Sequence, residues 1–159
     1  MSSKETWHVD VTARASTRIH ASRQDLWQAL TDPTIISEYY LGATVSTDWQ
    51  VGSPITWSGE WNGTAYTDKG EILAVEPGRL LSYSHWSPTS GTEDSPQHYH
   101  VVTITLSAAG DRTDVELKRS NLKGGVSEAD RRHRDDYESN WSTMLDGLKK
   151  SVEERIRSH

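Results

Sequence analysis

The sequence has no cysteine and no phenylalanine. Without cysteine, disulfide bonds and thiolate metal ligands are excluded, which is typical of proteins in a reducing compartment. Long apolar runs are missing as well: no segment reaches the roughly eighteen residues of a membrane-spanning helix, and the N-terminus lacks the apolar core of a signal peptide. We therefore predict a cytoplasmic protein that does not insert into membranes.

Positive charge is also scarce, with 17 Lys and Arg against 23 Asp and Glu and a formal net charge of -6. Nucleic-acid binding needs clustered cations that displace counterions from phosphates, so we expect no nucleic-acid partner. Seven Trp and six Tyr provide all the aromatic rings. Each combines a large apolar face with a polar group, which suits a partly hydrated cavity as well as a core. For 159 residues we expect one domain over 1–159.

The first third of the chain predicts a strand followed by two short helices. Apolar and polar residues alternate from His8 to Ala21, as in a half-buried strand. Ser22 and Asp25 resemble a capping box that begins a helix. Asp32-Pro33 interrupts this helix, and a second one ends before Gly42.

The next segment predicts hairpins with a defined register. Asn62-Gly63 is typical of a two-residue turn, because both positions need positive φ and these residues tolerate it. Counting from this turn places four pairs on one face of the sheet: Trp61 with Thr64, Gly59 with Tyr66, Trp57 with Asp68, and Ile55 with Gly70. Pro77-Gly78 predicts a type II turn before a strand from Leu80 to Trp86, whose inward face the pattern does not determine.

The segment from His85 to Gln97 is rich in Ser, Pro, Thr and Gly, and we predict a long flexible loop that covers the site. Two strands follow, each with one inward face. The inward residues are His98, His100, Val102, Ile104 and Leu106 in the first strand and Thr113, Val115, Leu117 and Arg119 in the second. We expect these strands to complete the sheet.

A long C-terminal helix is predicted after Gly124-Gly125, with Ser127 and Asp130 as its capping box. One stripe of residues recurs at helical spacing along it: Ala129, His133, Tyr137, Trp141, Leu145, Leu148, Val152 and Ile156. The elements together form a single α+β unit.

Five short motifs indicate a known family. They are Asp25-Leu26-Trp27-Gln28-Ala29-Leu30-Thr31-Asp32-Pro33, Val51-Gly52-Ser53, Gly70-Glu71-Ile72-Leu73-Ala74-Val75-Glu76-Pro77, Thr113-Asp114-Val115-Glu116-Leu117 and Asn140-Trp141-Ser142-Thr143-Met144-Leu145. With the order of elements, they resemble the START-related helix-grip (SRPBCC) superfamily and, within it, the activator of heat shock protein 90 ATPase homologue-like family. The resemblance implies an α+β helix-grip (START-like, Bet v-like) fold, in which a curved antiparallel sheet wraps around a long C-terminal α-helix, with two short helices after the first strand. It does not determine the function, because such folds host many activities.

The resemblance also raises the question of a chaperone partner. In the eukaryotic co-chaperone, chaperone binding is shared with a separate N-terminal domain that carries an Arg-Lys-x-Asn-x-Trp motif. This chain has neither, and Ser139-Asn140-Trp141 matches only a fragment of the motif. We therefore expect direct chaperone stimulation not to be its main role.

A ligand cavity is predicted where the stripe of the last helix changes from aliphatic to aromatic residues. An apolar pocket with a few polar groups is the usual form of a small-molecule site. We predict that eight residues contact the ligand: Trp57, Trp61, Tyr66, His100, Arg119, His133, Tyr137 and Trp141. Core packing is the alternative role for each ring.

Acid–base and metal chemistry have weaker support in the sequence. Asp68 is a candidate general base because burial raises the pKa of a carboxyl group, but an ion pair between Asp68 and Arg119 is the explanation that we favour. His98 and His100, with His133 or Asp68, have the residue types of a zinc site, yet their spacing is weak support and we expect neither a metal nor a cofactor.

The sequence thus favours a non-catalytic protein that binds a small hydrophobic or aromatic molecule, in a role related to stress or metabolism. Two alternatives stay open. One is an enzyme of the cyclase, dehydratase or isomerase type that uses Asp68 or a histidine as acid or base. The other is a chaperone-associated interaction module.

Overall fold

The computed structural model describes residues 10–157. Within this range the chain forms seven β-strands and three α-helices. They are β1 (Val11–Ile19), α1 (Arg23–Thr31), α2 (Pro33–Tyr39), β2 (Thr44–Ser46), β3 (Pro54–Trp61), β4 (Thr64–Glu76), β5 (Leu80–His85), β6 (His100–Ala109), β7 (Arg112–Asn121) and α3 (Glu128–Arg157). Two short 3-10 helices, Pro88–Ser90 and Pro96–His98, lie between β5 and β6.

The strands form one antiparallel sheet in the order β1-β7-β6-β5-β4-β3-β2. Strands that follow one another from β2 to β7 are neighbours, whereas β1 pairs with β7 at the far edge. The sheet curves around α3, whose backbone lies closest to β1, α2 and α1. This is the helix-grip fold that the resemblance implies, and the prediction of fold class is confirmed.

Local signals account for both short helices. The Ser22 hydroxyl accepts a hydrogen bond from the Asp25 N–H at 3.1 Å, and the Asp32 carboxylate accepts one from the Thr34 N–H at 2.9 Å. Pro33 is at the start of α2, where its missing N–H would have no helical partner. The predicted strand before these helices is β1, while His8 and Val9 lie outside the described residues.

The hairpin from β3 to β4 has the predicted register. Asn62 and Gly63 both have positive φ, at 52° and 80°. All four predicted pairs, from Trp61 with Thr64 to Ile55 with Gly70, are Cα partners across the two strands. At the next turn Gly78 has a φ of 76°, and the Arg79 N–H donates to the Glu76 carbonyl at 2.9 Å, as expected for a type II turn.

Strand β5 directs Leu81 and Tyr83 into the core, and the His85 ring lies on the same face as Trp57, with ring centres 5.0 Å apart. The intervening Ser82 and Ser84 are buried as well. The sequence Leu-Leu-Ser-Tyr-Ser-His therefore has no exposed polar face, which explains why alternation did not reveal the inward side.

The long helix α3 begins with the predicted capping box. Asp130 N–H donates to the Ser127 hydroxyl at 3.0 Å, and Ser127 N–H donates to the Asp130 carboxylate at 2.8 Å. The middle of the predicted stripe is buried at Leu145, Leu148 and Val152, but both of its ends, Ala129 and Ile156, are exposed. A helix of 30 residues is about 45 Å long, so its ends project beyond the core.

No helix within residues 10–157 combines the length and the apolar composition needed to cross a membrane.

Candidate functional site

An aromatic cavity lies between the sheet and the helices α2 and α3. Tyr39 and Tyr40 border it from the end of α2, Trp49 from the segment before β3, and Trp57 and Tyr83 from the sheet. Met144 borders it from α3, and the remaining lining is aliphatic. The cavity therefore offers mainly ring faces and methylene groups to an occupant.

The cavity is small, with a volume of about 30 Å³. This is room for about one or two water molecules, whereas a site for a drug-sized ligand measures roughly 300 to 1,000 Å³. The backbone of α3 lies close to β1 but only weakly approaches β3, β4 and β5. The volume of the cavity between α3 and strands β3 to β5 is thus limited by side chains rather than by the backbone.

A polar pair, Asp68 and His85, adjoins the aromatic wall. The Nε2 atom of His85 lies 2.9 Å from Oδ2 of Asp68, and the two side chains are only 14% and 13% exposed. Among the described residues, the other oxygen of Asp68 and the Nδ1 atom of His85 are buried without a hydrogen-bond partner. Because an unpaired buried polar atom costs about 1 to 3 kcal/mol, these two positions favour an additional polar group.

Two tyrosines lie beside Asp68. Burial raises the pKa of Tyr40, and the negative charge of Asp68 and then Tyr66 raise it further. Burial, followed by the charge of Asp68, also raises the pKa of Tyr66. The Tyr66 ring passes over Gly59, where a Cβ atom would lie 2.9 Å from its hydroxyl. Both phenols therefore stay protonated near the carboxylate.

His100 connects the polar pair to a second ionic cluster. Its ring centre lies 4.7 Å from that of His85. Burial lowers the pKa of His100 well below its ordinary value, and the neighbouring His85 ring and the positive charge of Arg119 lower it further. His100 is therefore a neutral imidazole at neutral pH.

The second cluster joins β7 to the start of α3 through Arg119. Its Nη1 atom donates to the Thr12 hydroxyl at 2.8 Å and lies 3.5 Å from the Asp130 carboxylate, while its guanidinium carbon is 4.2 Å from the centre of the Tyr137 ring. Burial lowers the pKa of Arg119, whereas Tyr137 and Asp130 oppose this change. Arg119 therefore positions the N-terminal half of α3 over the sheet.

The predicted ion pair between Asp68 and Arg119 is wrong, because each residue has another partner. Asp68 pairs with His85, and Arg119 pairs with Asp130. Burial tends to raise the pKa of Asp130, but hydrogen bonds from Ser127 and Asn121 and the charge of Arg119 outweigh it and lower the pKa. One carboxylate thus caps the helix and neutralises the arginine.

Some of the residues predicted to contact a ligand line the cavity, and others lie close to it. Trp57 lines the cavity, and Tyr66 and His100 belong to the polar groups beside it. Trp141 is half-buried and packs against the core, and Tyr137 lies on Arg119. A contact of any of these residues with a ligand stays a prediction.

Two other predicted ligand residues lie away from the cavity. Trp61 is 60% exposed at the tip of the β3–β4 hairpin. The side chain of His133 is 54% exposed, and its Nδ1 atom lies 3.7 Å from the Asp136 carboxylate one turn along α3. Sharing a sheet face or a helix stripe does not by itself bring a residue to the cavity.

The placement of His98 and His100 on one strand face is wrong. Strand β6 begins at His100, whereas His98 ends the 3-10 helix that Pro96 begins. The Nδ1 atom of His98 lies 2.8 Å from the Glu93 carbonyl and 3.1 Å from the Ser95 hydroxyl. Across residues 10–157, no three His, Asp or Glu side chains are grouped as a metal site.

The loop that we expected to cover the site packs on the opposite face of the sheet. Trp86 and Tyr99 stack with ring centres 6.3 Å apart, and Lys69 of β4 forms an ion pair with Asp94 of the loop. Lys69 and Trp86 pair across β4 and the end of β5, and side chains alternate along a strand. These residues therefore face away from Asp68, and the prediction of a covering loop is wrong.

The sequence reasoning missed His85, Tyr83, Tyr40 and Trp49. Counting from the Pro77-Gly78 turn would pair Ile72 with Ser84, but a register shift between Ile72 and Ala74 pairs Ile72 with Tyr83 instead. This β-bulge reverses which residues of β5 face inward. Tyr40 and Trp49 lie outside regular elements, so no periodic signal marks them.

Comparisons with known proteins agree with this architecture. The sequence profile of the family described as activator of Hsp90 ATPase homolog 1-like protein matches residues 20–153. A Cytophaga hutchinsonii protein solved in solution is 44% identical with a TM-score of 0.72, and the match covers 94% of this chain and 99% of that one. A comparison with curated protein sequences gave no match.

Two more distant structures have the same fold. A crystal structure of a Mesorhizobium loti protein is 25% identical with a TM-score of 0.67, and the match covers 89% of this chain and 97% of that one. The Aha1 dimer from Colwellia psychrerythraea, solved in solution, is 19% identical with a TM-score of 0.63, and the match covers 88% and 96%. At this identity the second likeness shows the fold alone.

Proposed function

The chain belongs to the family of activator of Hsp90 ATPase homolog 1-like proteins, and from this premise we propose that it binds a small hydrophobic or aromatic molecule in the cavity between the sheet, α2 and α3. The observation that carries the proposal is the cavity itself, which is lined by five aromatic rings, one of which, Trp57, contacts the His85 ring of a buried polar pair with two unfilled hydrogen-bonding positions. Ring faces provide apolar burial, and a few polar groups orient the ligand.

Binding requires the cavity to enlarge, because a volume of about 30 Å³ is far below that of an aromatic ligand. Tyr40, Trp49 and Met144 border the cavity and are only half-buried, so their side chains can move outward without disrupting the core. Met144 is especially adaptable, since methionine has three rotatable bonds. The ligand would therefore select an open state of the side chains.

The first experiment titrates the protein with N-phenyl-1-naphthylamine, an uncharged fluorescent probe. We expect probe emission to rise, emission from Trp49 and Trp57 to fall, and the melting temperature to increase. Binding to the folded state alone stabilises it by about 2.7 kcal/mol at a probe concentration of one hundred times Kd. If the folded protein neither binds the probe nor melts at a higher temperature, the proposal fails.

Substitutions at Met144 locate the site. Met144→Trp places a large ring at the edge of the cavity and should abolish probe binding, whereas Met144→Ala enlarges the cavity and should tighten binding. The control is Ser142→Trp, which adds the same ring to an exposed position of α3 and should leave Kd unchanged. Equal Kd values for all three variants would place the probe elsewhere.

The pairing of Asp68 with His85 favours one second candidate, an enzyme of the cyclase, dehydratase or isomerase type. A carboxylate that holds an imidazole is the arrangement of a general base, and the pair adjoins the cavity. Such an enzyme would lose pH-dependent turnover on Asp68→Asn while retaining its fold, as judged by circular dichroism. Turnover that survives this substitution would exclude the pair as its base.

A further inference from the structure

The unfilled positions of the polar pair define what kind of group they accept. An ionised carboxylate only accepts hydrogen bonds, so the 2.9 Å contact requires the hydrogen on Nε2 of His85. In a neutral imidazole, Nδ1 then has no hydrogen and is itself an acceptor. Oδ1 of Asp68, unpaired among the described residues, thus needs a donor from outside the pair, and Nδ1 of His85, also unpaired there, accepts one as well when the ring is neutral.

The described part of the chain places other groups near this position but no donor on it. Tyr40 and Tyr66 are close enough for the charge of Asp68 to act on them, yet within residues 10–157 neither hydroxyl donates to Oδ1. An occupant with a hydroxyl would donate to the pair and could accept from a tyrosine with the same oxygen. A carboxylate ligand would instead meet the like charge of Asp68.

The surrounding rings determine what must carry the hydroxyl. Trp57 contacts both Tyr83 and His85, with ring centres 5.1 and 5.0 Å away, so the cavity wall continues directly to the polar pair. A flat ring stacked against this wall would bring a substituent toward His85. Phenols and enols combine such a flat conjugated body with an acidic O–H that makes a strong hydrogen bond to a carboxylate or an imidazole.

We propose that the Asp68–His85 pair is the polar anchor of the site and that it selects aromatic or conjugated ligands that carry a phenol or enol hydroxyl. This inference rests on the proposed function, because it concerns the same cavity. A neutral hydroxyl donor also avoids the desolvation that burying an ammonium group would require.

Three probes with the same ring test the inference: 2-naphthol, 2-methoxynaphthalene, which has no donor, and 2-naphthylmethylamine, which is cationic. Kd is measured by quenching of tryptophan emission in the wild type and in Asp68→Asn. We expect 2-naphthol to bind the wild type about tenfold or more tightly than 2-methoxynaphthalene, and this advantage to be clearly smaller in Asp68→Asn, whose neutral amide oxygen is a weaker acceptor. The Kd of 2-methoxynaphthalene should be the same in both proteins.

The absorption spectrum of bound 2-naphthol gives a second measurement that does not depend on affinity. A strong hydrogen bond from its hydroxyl to the pair should shift the absorption to longer wavelength in the wild type, and His85→Gln should reduce this shift. His85→Gln keeps a polar side chain in place, so it provides the comparison even if Asp68→Asn fails to fold.

The other possible results of the binding experiment each contradict one part of the proposal. Equal binding of 2-naphthol and 2-methoxynaphthalene would overturn the hydroxyl inference and leave apolar binding intact. If 2-naphthylmethylamine binds more tightly than 2-naphthol, the pair selects cationic ligands and the hydroxyl inference is wrong. If none of the three probes binds the folded protein, the proposed function and this inference both fail.

Discussion

His100 shows how burial changes the chemistry of a single residue. Its pKa in the folded protein lies well below the ordinary value of 6.5, because of burial, the neighbouring His85 ring and the charge of Arg119. In the unfolded chain the ring takes up a proton near pH 6.5, so between the two pKa values the unfolded state binds more protons. Stability must therefore fall as the pH falls below about 6.5, by at most roughly 1.4 kcal/mol per pH unit for this residue.

The first prediction follows from this sign. Between pH 7 and pH 5 the free energy of unfolding of the wild type should fall more steeply than that of His100→Gln, which has no ionisable group at this position. Urea denaturation at several pH values measures both slopes. The groups that face His100, namely His85 and Arg119, are present in both proteins, so parallel slopes would show that His100 ionises normally.

Gly70 shows how close two backbones can approach where no side chain intervenes. A Cβ atom at this position would lie 1.7 Å from the Ser84 carbonyl oxygen of β5. The register shift between Ile72 and Ala74 follows two residues later, so the close approach accompanies the bulge. Gly70 thus helps to set the path of β4 past β5.

The second prediction is that Gly70→Ala destabilises the fold by about 3 kcal/mol or more, because a backbone clash forces the strands apart. Gly59→Ala is the matched control: its new Cβ meets the Tyr66 hydroxyl at 2.9 Å, and this flexible end can move. The control should therefore cost about 1 kcal/mol. Chemical denaturation compares the two, and an equal loss would contradict the role of the Ser84 backbone.

At the scale of secondary-structure elements, α3 protects the exposed edge of the sheet. The free edge of β1 has backbone groups that another chain could pair with. Glu138 and Glu153 of α3 accept hydrogen bonds from the N–H groups of Arg14 and His20, each at 2.9 Å. Lys149 donates to the Arg18 carbonyl at 3.1 Å. The opposite edge, β2, is only three residues long and offers little to pair with.

The third prediction concerns this edge. The double variant Glu138→Ala, Glu153→Ala should change stability only slightly, because the bonds are exposed, but should self-associate more strongly. Analytical ultracentrifugation measures the association. The control, Asp135→Ala with Asp146→Ala, removes the same charge from exposed positions of α3. If the two double variants self-associate equally, the loss of negative charge alone explains the self-association, and the edge of β1 has no role in it.

At the scale of the whole molecule, the two ends of the sheet are supported differently. Helix α3 packs closely on β1, whereas β2 and the residues after α2 border the cavity and have less cover. The outward movement of Tyr40 and Trp49 should therefore loosen the segment from Tyr40 through β2 rather than the strands near β7. Regions with little packing open most easily in native proteins.

The fourth prediction tests this division by hydrogen exchange. Amides of residues 40–46 should exchange faster than those of β6, and saturating N-phenyl-1-naphthylamine should slow the exchange of residues 40–46. Residues 86–98 lie on the outer face and serve as the internal control, with unchanged exchange. Slower exchange in both segments would indicate global stabilisation without local opening.

The features that depend on neighbouring residues can be predicted from the amino-acid sequence. Asn62-Gly63 needs positive φ at both positions, so it predicts both the turn and the register of β3 and β4. The capping box at Ser127 and the stripe through Leu148 likewise follow from local hydrogen bonding and helical spacing. The sequence therefore predicts that Trp57 and Asp68 lie together on one face of the sheet, as the structure has them.

The pairing of the polar groups in the site depends on contacts between segments that are distant in the sequence. A bulge in β4 turns His85 toward Asp68, and the start of α3 brings Asp130 to Arg119. A register shift of one residue reverses every side chain beyond it, and no short-range pattern reports such a shift. The sequence pattern therefore identified Asp68 and Arg119 as candidate site residues. It did not predict that they pair with His85 and Asp130, because these contacts join distant segments.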